Sequence, residues 1–174
     1  MIAIFFALSQ EVASLKSQVN ILKKIRYANA VFYQAEFCGF PVTLVQTGVG
    51  KNVSEAIHQL STYFRIQLMV SSGFAGSVNP KVGVGDLVIG RRVLSSSRGV
   101  SEEGIPIDSA LPCDASAVDI AVALSSAGAL KFHCGDILSV DKIIRQSSLK
   151  THIGNQTSAI AVDMESFAIA ERAN

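Results

Sequence analysis

Three observations predict an α/β fold built on a mixed sheet. Short apolar runs recur at residues 2–7, 31–37, 42–46, 67–72, 84–90, 132–140 and 159–162. Segments with helical spacing of apolar residues lie between most of them. One pair of runs is separated only by Cys38-Gly39-Phe40-Pro41, a hairpin signal that adds an antiparallel step to the βα alternation.

Residues 2–7 are continuously apolar, as in a strand covered on both faces. Ser9 is placed to cap the next helix, which carries Glu11, Val12 and Leu15. A polar segment precedes the hairpin, whose second strand runs into Thr47-Gly48-Val49-Gly50-Lys51. Glycines there permit a tight turn and close approach to a ligand. The turn is not a P-loop, lacking the long inter-glycine loop and the Ser/Thr after lysine. Residues 52–64 align Val53, Ala56, Ile57, Leu60 and Phe64 on one helical face.

Residues 67–72 form a strand leading into Gly73-Phe74-Ala75-Gly76-Ser77. Small residues at that edge leave room for a planar ring or a sugar beside Phe74; the competing reading is a tight turn with a core phenylalanine. A strand is expected over 84–90 and a long mobile loop over 95–113. Asp114 caps an alanine-rich helix through Ser126, and 132–140 is a strand. A short helix then runs through about Leu149, with His152 and Asn155 in the following loop. The strand 159–162 ends at Asp163 and Glu165, where an alanine-rich helix begins. Carboxylates in that place complement the helix dipole, and strand C-terminal edges of open α/β sheets are where ligands bind. Plain capping by Asp163 explains the same pattern.

At 174 residues, 49% hydrophobic and 17% charged, the chain suits one domain over 1–174 with a sizeable core. A net charge of +1 without a basic run gives no footprint for nucleic acid. Cys38, Cys113 and Cys134 have no metal-like spacing and point to reduced thiols in the cytoplasm. The apolar opening is too short to span a membrane. His58, His133 and His152 form no ligand set, so neither metal nor other cofactor is expected.

Five segments in order, Ala7-Leu8-Ser9-Gln10-Glu11-Val12, Thr47-Gly48-Val49-Gly50-Lys51, Ser72-Gly73-Phe74-Ala75-Gly76, Val84-Gly85-Asp86-Leu87-Val88 and Val162-Asp163-Met164-Glu165, resemble the nucleoside phosphorylase/nucleosidase superfamily. The likeness is strongest to methylthioadenosine/S-adenosylhomocysteine nucleosidases. It implies a single-domain, three-layer mixed sheet flanked by helices, and a small-molecule nucleoside bound across strand ends. By that resemblance Glu11 helps activate the attacking water, Glu165 accepts from the ribose hydroxyls, and Met164 holds the sugar. Phe74, Ala75 and Gly76 line the pocket, while the main chain at Ile143 and Ile144 reads the purine edge.

The chemistry fits: breaking an N-glycosidic bond builds positive charge on the sugar, which carboxylates stabilise while orienting water. Phosphorylase members carry arginines around phosphate, one of them on the strand leading to the glycine segment. Here that strand reads Met69-Val70-Ser71-Ser72, so hydrolysis is preferred. Phosphorolysis and a nucleoside-binding protein without turnover are the alternatives. The resemblance also implies a homodimer, and a further strand ending in Ser-Asp plus a terminal helix, which do not appear before Asn174.

Overall fold

The computed structural model describes residues 1–50, 52–96 and 98–173, with backbone alone at Asn52. Two compact units emerge, Met1–Phe74 with the chain from Glu171 onward, and Ala75–Ala170. Each holds a five-stranded mixed sheet. The α/β class and the mixed strand directions are as the sequence predicts.

In the first unit β1 (Ile2–Phe6) leads to α1 (Ser9–Lys16), then β2 (Asn20–Tyr27), β3 (Ala30–Phe37), β4 (Phe40–Gln46), α2 (Asn52–Tyr63) and β5 (Leu68–Ser71). The strand order is β2-β3-β4-β1-β5. β1 lies parallel to both β4 and β5, so three C-terminal ends open on one edge. Phe6, Val12, Val31, Tyr33 and Leu44 form a core under α1. Val53, Ala56, Ile57 and Leu60 are the buried face of α2, as their spacing requires.

The polar segment before the hairpin is itself a strand, β2. It is an exposed edge carrying Lys23, Lys24 and Arg26, the kind of charged edge that resists pairing with another chain. Lys24 of this strand and Lys16 of α1 place their amines 5.7 and 4.3 Å from the Tyr33 ring centre. The hairpin turn is tighter than expected, with positive φ at Cys38 and Gly39 and Phe37 paired to Phe40.

The second unit comprises β6 (Gly76–Ser77), β7 (Leu87–Ser96), β8 (Ser109–Pro112), α3 (Ala115–Ala127), β9 (Phe132–Val140), α4 (Ser147–Gln156), β10 (Ala159–Asp163) and the start of α5 (Ser166–Ala173). Strands order as β6-β10-β9-β7-β8, with β7, β9 and β10 parallel. Leu138, Ile153, Ala159 and Val162 anchor its core. Asp114 caps α3 through a 2.8 Å bond from the Ala117 N–H.

Three expectations need correction here. The loop 95–113 is shorter, because Ser109–Pro112 pairs antiparallel with β7, its proline closing an edge strand where no donor is needed. Residues 84–86 precede β7 as a turn: Asp86 accepts from Lys131 Nζ and the Gly83 N–H, with His133 Nε2 also 2.8 Å away. The Lys131 ammonium first, then the Gly83 amide and the His133 ring, hold the Asp86 carboxyl far below the usual range. His152 and Asn155 lie within α4, which is drawn over the sheet by Leu149 and the fully buried Ile153 one turn apart. Among the described residues no helix is long and apolar enough to cross a membrane.

Within this sheet Asp136 of β9 is paired by two nitrogens of Arg92 on β7 (Nε 3.0 Å, Nη2 2.5 Å) and by Ser158 Oγ. Its side chain is 9% exposed, and the Arg92 guanidinium holds its carboxyl below the usual range. A depressed carboxylate stabilises the fold above its unfolded pKa of about 4 and loses that contribution as pH falls through the folded value. Asp136→Asn is therefore expected to lower the melting temperature at pH 7 by roughly 2–6 °C. The gap to wild type narrows steadily below about pH 4; a gap independent of pH would contradict the pairing.

Candidate active site

In the first unit the chain leaves β1 at Phe6 and enters α1 two residues later. Leu8, rather than Ser9, is the N-cap, with extended backbone and a side chain that cannot accept. Glu11, at the third helical position, accepts the Leu8 N–H at 2.7 Å through Oε2. Its Oε1 accepts the Phe74 N–H at 2.9 Å, from the loop following β5. Both oxygens are thus fixed by main-chain donors, and each keeps a lone pair for another group.

Gly73 makes this seat possible. A Cβ there would stand 2.7 Å from Oε1 and 2.8 Å from the Glu11 carboxyl carbon. Phe74 is 73% exposed, so it is a surface residue and not a core one. Nearby, the Thr47 and Gly48 amides bond to the Phe6 and Ala7 carbonyls, and Ser72 N–H to Phe5. Gly48 and Gly50 adopt φ of 76° and 88°, as their turn requires.

In the second unit β9 and β10 end side by side, Ser139 opposite Asp163. The Asp163 carboxylate accepts from Ser139 Oγ, from Ser166 Oγ, and from the Ser166 N–H at 3.1 Å. Burial pushes this carboxyl above the usual range, against the opposing pull of those hydrogen bonds. Capping by Asp163 is therefore real, and it leaves Met164 and Glu165 in the turn before α5, both partly buried. Gly76 pairs with Val162, a Cβ there falling 3.2 Å from the valine methyl, so the β6 segment runs beside the end of β10. Ala75 precedes it as an exposed residue. Past β9, the Ile143 side chain is exposed while Ile144 packs on the core of this unit.

The residues that sequence reasoning missed are backbone donors and small hydroxyls. The Leu8 and Phe74 amides carry no side-chain signature, and Ser139 and Ser166 look like ordinary polar positions. Only Gly73, sitting immediately after a strand, was a readable cue.

Each unit thus presents an acidic residue at the C-terminal end of parallel strands, the arrangement of an α/β enzyme that binds small polar ligands. Residues 1–174 match the family described as Phosphorylase superfamily, and the chain belongs to it. The 5′-methylthioadenosine/S-adenosylhomocysteine nucleosidase of Buchnera aphidicola subsp. Schizaphis graminum is 30% identical over 178 residues, covering 98% of this chain and 76% of that protein. Aminodeoxyfutalosine nucleosidase of Campylobacter jejuni is 24% identical, over 97% of this chain and 77% of its own length. Among solved structures, the nucleosidase of Neisseria meningitidis in complex with methylthio-immucillin-A superposes with a TM-score of 0.85 at 24% identity, covering 98% of this chain and 78% of that one.

Gly73→Ala tests the Glu11 seat directly. The added methyl meets the end of a flexible side chain, so Glu11 swings away while the sheet stays folded. With a hydrogen bond worth about 1 kcal/mol removed, the Phe74 amide is expected to exchange with solvent roughly five- to tenfold faster. Unchanged Phe74 protection would mean that Glu11 is not its acceptor.

Proposed function

We propose that this protein hydrolyses the N-glycosidic bond of an adenosine-type nucleoside with a substituted 5′ position, releasing adenine. 5′-Methylthioadenosine and S-adenosylhomocysteine are the substrates of choice, given the activity named for the Buchnera relative. The observation that carries the reading is the Glu11 carboxylate, fixed by the Leu8 and Phe74 amides at a strand end. A carboxylate so held suits a water molecule and repels a phosphate dianion.

In this reading Glu11 takes a proton from water as its oxygen attacks C1′. The C1′–N9 bond breaks, its electron pair leaves with adenine, and the departing base takes a proton from solvent, which balances the one that Glu11 removes from water and later releases. Glu165 accepts from the ribose hydroxyls and offsets positive charge growing on the sugar. Met164 packs on the sugar, Phe74, Ala75 and Gly76 wall the pocket, and the main chain at Ile143 and Ile144 reads the purine. Residues 1–174 act as one nucleosidase-like domain, in a cytoplasmic homodimer, with no cofactor.

A second reading replaces the substrate by an aminodeoxyfutalosine-type nucleoside, the compound class in the name of the Campylobacter relative. Adenine release assayed in parallel on 5′-methylthioadenosine and on aminodeoxyfutalosine separates these readings: the preferred substrate is the one turned over with the higher kcat/KM. Adenine release from 5′-methylthioadenosine is expected in phosphate-free buffer and unaltered by added phosphate; release only with phosphate would assign a phosphorylase. Glu165→Gln should weaken binding of the riboside by about tenfold or more while leaving free adenine within about twofold, a loss typical of one charged hydrogen bond. Equal losses for both ligands would remove Glu165 from the sugar.

A further inference from the structure

Ser139 and Asp163 sit opposite one another on neighbouring parallel strands, each at the point where its strand gives way to a functional segment. Asp141 to Ile144 begins two residues after Ser139, and Glu165 stands two residues after Asp163. The Ser139 hydroxyl donates to Asp163 Oδ1 and accepts the Phe167 N–H at 2.9 Å. Asp163 Oδ2 takes both the hydroxyl and the N–H of Ser166, and the Glu165 N–H also favours the Asp163 carboxylate. Two main-chain amides flanking the Glu165 side chain are thus held by one carboxylate, which is itself held by the end of β9.

Ser139 and Ser166 are each 7% exposed, and among the described residues every buried side-chain nitrogen or oxygen has a partner. A closed polar network of this kind has one arrangement, because any change orphans a buried group. An apolar core could join two strands equally well without fixing a turn residue by residue.

We infer that Ser139 and Asp163 are positioning residues that join the Glu165 turn to the segment leaving β9, so that the sugar-holding and base-reading parts keep one spacing. The assignment rests on the reading of Glu165 and Ile143–Ile144 given above. Ser139→Ala deletes the donor to Asp163 and the acceptor of Phe167 together. Ser139→Thr keeps the hydroxyl. Asp163→Asn keeps the shape but turns one acceptor oxygen into an NH2 donor, so that a hydroxyl or amide now donating to the carboxylate loses its acceptor.

The test has two arms on the full chain. Without ligand, amide NMR of Ser139→Ala is expected to show shifted Glu165, Ser166 and Phe167 resonances together with those of residues 141–144; Asp163→Asn takes its place if the alanine variant does not fold. Perturbation confined to Phe167 would overturn the inference. With ligand, affinity for 5′-methylthioadenosine is expected to fall roughly tenfold in Ser139→Ala and to return within about threefold in Ser139→Thr, as for one buried polar group left unpaired. Wild-type riboside affinity in a folded Ser139→Ala would also overturn it, since a cap that only stabilises would move the melting temperature alone. Should wild type bind neither adenine nor riboside, the proposed function fails, and the ligand-free arm still decides whether the two segments are joined.

Discussion

Two main-chain amides converging on one carboxylate fix the geometry of the first unit. Every helix start leaves N–H groups without intrahelical partners, and every strand that ends at a loop does the same. Glu11 satisfies one donor of each kind, Leu8 at the head of α1 and Phe74 beyond β5. Because β1 and β5 are parallel neighbours, their C-terminal ends reach the same edge, and a side chain from the third helical position can span them. The absent side chain of Gly73 supplies the space. In the proposed mechanism an acid at this position is part of the fold and part of the chemistry at once.

The second unit uses the same physics with different residues. Asp163, the last residue of β10, accepts the first N–H of α5, and Glu11, inside the helix that follows β1, accepts the Leu8 N–H at the head of α1. The difference is in what remains. Glu11 keeps lone pairs on a partly exposed carboxylate, whereas Asp163 is saturated by hydroxyls and amides and enclosed enough for burial to raise its pKa. Glu165, two residues on, is the acid left to meet a ligand in the proposed mechanism. Capping and catalysis are therefore not rival explanations for an acidic pair at a strand end. In the proposed function one member caps, and by doing so it aims the other.

Most of the α/β alternation was legible because buried strands and amphipathic helices write themselves in apolar spacing. The run 132–140 and the buried face of α2 are examples. What escaped was the periphery. β2 reads as polar because an edge strand presents its charges to water, and β8 is only four residues long and ends in proline. The start of α4 was placed too early because residues 141–146 carry apolar side chains without forming the helix that Ile153 anchors. At the site, the acids were legible from type and position, while their amide and hydroxyl partners have no sequence signature. The pairing of Ser139 with Asp163 depends on strand register, which no local pattern encodes.

A carboxylate oriented by backbone alone should be needed for the reaction and not for holding the ligand. Glu11→Gln preserves the shape and one acceptor oxygen but cannot take a proton from water. Single-turnover adenine release by this variant, measured alongside riboside affinity, is therefore the most direct test. Affinity is expected to stay within about threefold of wild type while the chemical step slows by on the order of a hundred- to ten-thousand-fold. A Glu11→Gln protein that releases adenine at the wild-type rate would contradict the account, whatever else binds at that edge.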